Sequence, residues 1–369
     1  MAGTKLHELS KLGQSVWLDF TQRSLIRSGD LLDYVEQGLS GVTSNPAIFE
    51  KAISQSSEYD AQMEQLAEAG KSAQEIYEAL TVEDARLAAD VLRPVFARTH
   101  GNDGFFSLEV EPHLAHDQHG SVVAAERLFK SVNRPNVMIK IPASEEGYPA
   151  IQELIEEGIN INITLMFSLD QYDRVAEAYI SGLEKRLANG YDVKHVASVA
   201  SFFVSRVDTK VDALLDKYKT PEAESLKGKI GIANAKMAYQ RFKEIFKSQR
   251  WSHLAERGAR IQRVLYGSTG TKNPQYSDVM YVNNLIGPHT INTIPPDTLE
   301  AFMDHGTVAI TLEDDLGEAR AQLDQLAELG INLDDVANQL LDEGIEKFIQ
   351  PYDSLINVIT EKSAEFIAH

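Results

Sequence analysis

Lys140 stands in the run Val137-Met138-Ile139-Lys140-Ile141-Pro142, a charged side chain inside an otherwise apolar, strand-like stretch. An ammonium buried there without a partner is costly, and a desolvated lysine gives up its proton more readily than a solvated one. The neutral amine attacks carbonyl carbon, so the chemistry this placement offers is a Schiff base. The competing reading is a strand-end lysine that snorkels to water or pairs with a carboxylate. Two carboxylates occupy comparable places: Asp19 follows Val16-Trp17-Leu18, and Glu109 follows Ser107-Leu108. Beside such an amine, one suits the proton of a substrate hydroxyl and the other suits work through water on a carbinolamine. Taken singly, each is more often a helix N-cap or an ion-pair partner.

Around these lie polar residues at the ends of other apolar runs. Asn45, Asn162 and Thr164 offer hydrogen bonds to polyol hydroxyls, or simply satisfy turn backbone. For an anion, the best pieces are Ser201 and Arg206 after one run and Gly267-Ser268-Thr269-Gly270-Thr271-Lys272 after the next. The latter lacks the glycine spacing of a Walker loop, and a flexible Gly/Ser/Thr loop is its plainer reading. His113, His116 and His119 recur every third residue after Pro112. That spacing winds around a helix instead of holding one face, so a metal site is not expected. No G-x-G-x-x-G in a strand-to-helix setting, no G-x-S-x-G and no H-E-x-x-H is present.

The elements that must position these residues come from the period of the apolar side chains. Eight short apolar or alternating runs, at 15–20, 41–45, 105–111, 137–143, 161–167, 196–207, 260–268 and 290–294, alternate with helical patterns. Repeated βα units of this number predict a closed (β/α)8 TIM barrel, whose active site lies at the C-terminal ends of the strands. Ser144 and Gly158 bracket one helix. Ser168 with Gln171 makes a capping-box start for another, whose stripe from Leu169 to Leu187 reads as core. Long helical stretches at 59–100, 208–257 and from Asp334 onward decorate the barrel. No linker or fixed-period repeat divides the chain, so residues 1–369 are expected to form one domain.

Composition narrows the function class. The 369 residues contain no cysteine, which removes thiol catalysis, cysteine-held metals and disulfides, and favours a cytoplasmic address. The N-terminal residues turn polar too soon for a secretory signal, and no apolar run reaches membrane-spanning length. With 35 basic and 55 acidic side chains the net charge is -20, which opposes binding to nucleic acid. A small anionic ligand must therefore be captured by a few local cations or backbone N–H groups.

Six segments in order, Val16–Asp19, Gly41–Phe49, Ser107–Val110, Ile139–Ala143, Ile161–Ser168 and Ser201–Arg206, together resemble the transaldolase family, and most closely its longer bacterial subgroup. The resemblance implies a class I aldolase-type barrel in which Lys140 forms a Schiff base with a ketose donor. It implies further that Asp19 exchanges the hydroxyl proton during carbon–carbon cleavage, and that Glu109 acts through a water held by Thr164. Asn45 and Asn162 match positions that hold dihydroxyacetone hydroxyls, Ser201 and Arg206 match phosphate contacts, and Phe203 matches an aromatic wall. Where shorter members carry Ser-Pro-Phe this chain has Ser201-Phe202-Phe203, and where they offer an arginine in the seventh-strand loop it offers Lys272. The implied reaction moves a dihydroxyacetone unit between sugar phosphates, as from sedoheptulose 7-phosphate to glyceraldehyde 3-phosphate. It needs no metal or organic cofactor, and the implied partners are small sugar phosphates, with the protein a monomer or homodimer. A fructose 6-phosphate aldolase-like enzyme and a catalytically silent sugar-phosphate-binding barrel are the alternatives.

Overall fold

A computed structural model of the chain describes residues 3–368. Eight parallel strands close into a barrel in sequence order: β1 Gln14–Leu18, β2 Gly41–Thr43, β3 Phe105–Glu109, β4 Val137–Pro142, β5 Ile161–Met166, β6 Ser198–Phe203, β7 Arg263–Gly267 and β8 Thr290–Ile294. β3, β4, β5 and β6 are buried along their whole length, between helices outside and the barrel lumen inside. That two-sided burial is why they read as nearly unbroken apolar runs.

The lumen changes character along its axis. Trp17, Phe105, Met138, Val199, Leu265 and Ile291 form an apolar plug toward the N-terminal end. Two residues further along each strand, on the same face, come Asp19, Ser107, Lys140, Ser201, Gly267 and Thr293. The period of two thus turns a dry floor into a polar ring at the C-terminal mouth. Gly41 fits the plug: a Cβ there would lie 2.5 Å from the Trp17 ring, so the indole occupies the space a side chain would need.

The predicted helix boundaries have physical counterparts. Ser168 and Gln171 cap helix Leu169–Ala188 reciprocally, and helix Gly147–Glu157 ends on Gly158 in the left-handed region at φ 87°. The run expected to continue as strand to Val207 instead breaks at Val204, and Ser205–Leu215 is helical. Val204 and Val207 are buried as helix-start residues, and burial alone carries no period over so few residues. The 36-residue C-terminal helix Leu333–Ala368 packs across helices Pro46–Ser54 and Asp60–Glu68 and over the end of β5. No helix among the described residues is long and apolar enough to cross a membrane.

Candidate active site

Strand register assembles the first row: Glu109 on β3 is aligned with Lys140 on β4, and Lys140 with Asn162 on β5. All three side chains enter the lumen at one level. Lys140 Nζ donates to the Ser44 carbonyl at 2.9 Å and lies 3.0 Å from Glu109 Oε2. The two side chains are each 6 % exposed. The Lys140–Glu109 contact is close in distance but poorly aligned as a hydrogen bond, leaving Oε2 with accepting capacity.

Asn162 is held on both sides. Its Nδ2 donates to Ser107 Oγ at 3.0 Å and its Oδ1 accepts from Ser201 Oγ at 2.6 Å. The amide is therefore fixed in orientation beside the lysine row. The hydroxyl of Ser201 is thus engaged with Asn162 in this structure. Thr164, aligned with Pro142 at the end of β4, is fully buried, and its Oγ1 has no hydrogen-bond partner among the described residues. A buried hydroxyl with unused donor and acceptor capacity suits a small polar ligand.

Asp19 lies at the end of β1, where Thr43 Oγ1 donates to its Oδ1 at 2.8 Å and shares a 2.6 Å hydrogen bond with Thr293. Part of its surface is open at the mouth, yet protein encloses the carboxyl, and that burial raises its pKa above the ordinary carboxylate value. Lys140, the Thr43 hydroxyl, Arg206 and Lys272 all pull the other way. Burial also raises Glu109, opposed by Lys140 and reinforced by the charge of Asp19. Two carboxyls that burial raises above their usual range, both within reach of the Lys140 charge, are groups suited to proton transfer.

The cationic end is set by helix Ser205–Leu215, which starts directly after β6. Arg206 stacks over Phe203 at 5.1 Å and over Phe348 at 5.8 Å, and burial lowers its pKa. Its Nη1 is buried without a partner among the described residues. Lys272 is exposed on the loop after β7, near enough for its charge to act on Asp19. Asn45 caps helix Pro46–Ser54, its Oδ1 accepting from Ile48 N at 3.0 Å. The backbone reading of Asn45 thus holds for that oxygen, and its amide N–H groups are what it can offer a ligand.

The structure adds residues that sequence reasoning missed. Thr43 orients Asp19, Ser107 orients Asn162, and the carbonyl of Ser44 holds Lys140. Thr43 and Ser107 carried a signal, being lumen-facing by strand period and aligned with each other across β2 and β3. Phe348 carried none, because the C-terminal helix brings it over the mouth from far along the chain.

The histidines lie apart from this site. His113 Nε2 is 2.7 Å from Asp353, His116 Nδ1 is 3.2 Å from Glu146, and His119 is exposed in the first turn of helix Gln118–Val132. A cavity of about 590 Å³ lies behind Glu109, between helices Ala73–Arg98 and Gln118–Val132. Its two cations are already paired with carboxylates, Arg127 with Glu78 at 2.9 Å and Lys71 with Glu75 at 2.8 Å, and Lys140 and Asp19 do not line it.

Comparison with known proteins agrees with this geometry. The family described as Transaldolase/Fructose-6-phosphate aldolase matches residues 16–359. Among curated relatives, "Transaldolase 2" of Nostoc punctiforme is 48 % identical over 98 % of both chains. "Transaldolase" of Trichodesmium erythraeum is 48 % identical, again over 98 % of each chain. "Transaldolase" of Thermobifida fusca is 46 % identical over 98 % of this chain and 99 % of its own. With a lysine and two raised carboxyls at the mouth of an eight-stranded barrel, and relatives matched from end to end, the chain belongs to the transaldolase/fructose-6-phosphate aldolase family.

Proposed function

We propose that this chain is a transaldolase, moving a dihydroxyacetone unit from a ketose phosphate to an aldose phosphate through a Schiff base on Lys140. The observation that carries the reading is the Lys140 amine, buried in the lumen 3.0 Å from Glu109. The names of the near-full-length relatives support the choice of reaction.

The proposed steps assign each of these side chains a role. Lys140 Nζ adds to the C2 carbonyl of the donor, and Glu109, through a water held by Thr164, returns a proton to the carbinolamine oxygen so that water leaves. Asp19 takes the proton of the C4 hydroxyl, the C3–C4 bond breaks, and its electron pair is received by the iminium as an enamine. The first aldose phosphate departs. A second aldehyde is attacked by the enamine carbon, Asp19 returns its proton to the new hydroxyl, and hydrolysis of the iminium frees the product and the amine. Asn45 and Asn162 suit the donor hydroxyls, while Ser201 and Arg206, supported by Lys272, suit the phosphate. Phe203 forms an apolar wall at that end. No step calls for a metal or an organic cofactor. Such an exchange belongs to the non-oxidative pentose phosphate pathway and to the cytoplasm.

Borohydride reduction of the protein mixed with fructose 6-phosphate, followed by peptide mapping, tests this reading. A dihydroxyacetone-sized adduct confined to the Lys140 peptide is expected, and its absence in the folded protein overturns the assignment.

A further inference from the structure

The C-terminal helix Leu333–Ala368 lies outside the barrel repeat, yet it supplies a side chain to the reacting end. Phe348 is 4 % exposed, and its ring centroid lies 5.9 Å from Lys140 Nζ and 5.8 Å from Arg206 Cζ. The ring borders both the amine and the guanidinium, the two groups that a ketose phosphate has to span.

Three further observations bear on how closely the helix is held. One turn before Phe348, a Cβ on Gly344 would lie 2.8 Å from Leu165 Cδ2 and 3.3 Å from Arg206 Nη1, so the absence of a side chain lets the helix come that near. Facing it, Leu165 takes φ 58° at a register irregularity in β5, directly after Thr164. A leucine in that region is strained, and Leu165 joins Leu341, Ile345 and Phe348 in one apolar cluster. One turn after Phe348, Tyr352 Oη donates to Glu111 at 3.0 Å, which ties the helix to the turn following Glu109.

We propose that Phe348 is a specificity-determining residue, the wall that keeps water from the enamine between the two half-reactions. This rests on the Schiff-base reading above. Once the first aldose phosphate has left, the enamine carbon has two possible partners. Attack on a second aldehyde gives transfer. Protonation of the same carbon by water gives the iminium of dihydroxyacetone instead. Hydroxide or water then adds at C2, the C–N bond breaks, and free dihydroxyacetone leaves Lys140 as the amine. A ring fixed beside Lys140 takes up space that a water donating its proton to the enamine carbon would need.

The test measures release of free dihydroxyacetone from fructose 6-phosphate relative to transfer onto erythrose 4-phosphate, for the unsubstituted protein, Phe348→Leu and Phe348→Ala. Borohydride trapping and thermal melts run in parallel. Retained adduct on Lys140 with a release-to-transfer ratio raised about tenfold or more in Phe348→Ala, and less in Phe348→Leu, is the expected result. A folded Phe348→Leu or Phe348→Ala protein that loses transfer and release together, or keeps the original ratio, overturns the inference. If Phe348→Ala fails to fold, Phe348→Leu decides by the same ratio. Absence of an adduct in the unsubstituted protein is a different failure, that of the Schiff-base reading, and takes this inference with it.

Discussion

Asp208→Asn is expected to make the protein more stable than the unsubstituted chain at pH 8 and to leave it nearly level at pH 4. Asp208 sits on helix Ser205–Leu215, two residues beyond Arg206, and is 1 % exposed. Its Oδ1 accepts from Gly231 N at 2.7 Å and its Oδ2 from Tyr281 Oη at 2.9 Å. No lysine or arginine pairs with it among the described residues, and Asp212 follows one turn later. Burial pushes its pKa from 3.8 up to about 7, with the two donors opposing and Asp212 assisting.

Between those two values the folded state holds a proton that the unfolded state has released. Stability is therefore full below pH 3.8 and falls as pH rises toward about 7, the reverse of a salt-bridged aspartate. The displacement corresponds to on the order of 4 kcal/mol, reduced in practice by local relaxation to about 2–4. An asparagine keeps the acceptor for Gly231, and Tyr281 can turn its hydroxyl to accept from the amide, so both contacts survive without a charge. The assay is guanidinium unfolding of both proteins at several pH values from 4 to 8, reading only the difference between them so that the other titrating groups cancel. That difference should grow in favour of Asp208→Asn by about 2 kcal/mol or more across the range. A difference constant within about 0.5 kcal/mol refutes the argument.

The proposed role of Glu109 and the buried Arg23–Asp84 ion pair give two further expectations. Glu109→Gln keeps the volume beside Lys140 but cannot exchange a proton, so single-turnover trapping of the Lys140 adduct should slow by about 10²–10⁴ while the adduct still forms on the same peptide; an unchanged rate removes Glu109 from the chemistry. Arg23 and Asp84 form a buried ion pair at 2.7 Å, with Tyr59 Oη donating to the other carboxylate oxygen at 2.8 Å; Arg23→Met should cost about 3–5 kcal/mol of unfolding free energy, and adding Asp84→Leu should recover much of it, because the loss comes from stranding a buried carboxylate.

How much of this was legible depended on how far each interaction reaches along the chain. β8 was expected at Thr290–Ile294 and spans those residues, because period and turn signals there are local. The Val196–Val207 run overshot at both ends, since β6 spans only Ser198–Phe203 and apolar helix residues follow it without a break in composition. Ser144 was read as preceding a helix, and its Oγ accepts from Gly147 N at 3.0 Å, but the helix itself begins at Gly147. Lys140, Asp19 and Glu109 were visible because a charge at the end of an apolar run is a local anomaly. The Thr43–Thr293 bond and the place of Phe348 were not, because the first depends on barrel closure through β8 and the second on a helix returning from the far end of the sequence.

The net charge of -20 poses a problem for any phosphate-bearing ligand, and the phosphate role proposed for Arg206 rests on how its charge is held. Many of the outer cations are committed to carboxylates: Arg250 to Glu177 and Glu184, Arg241 to Asp173 and Glu244, Arg134 to Asp90. Arg206 forms no such pair among the described residues. Phe203 and Phe348 hold its guanidinium by the faces of their rings, and Nη1 remains buried with its donors unspent. Asp19 and Glu109 favour its charge without closing an ion pair with it. A phosphate arriving there completes a set of hydrogen bonds and displaces no carboxylate, so the local gain need not repay a broken ion pair before it can offset the repulsion of the whole molecule.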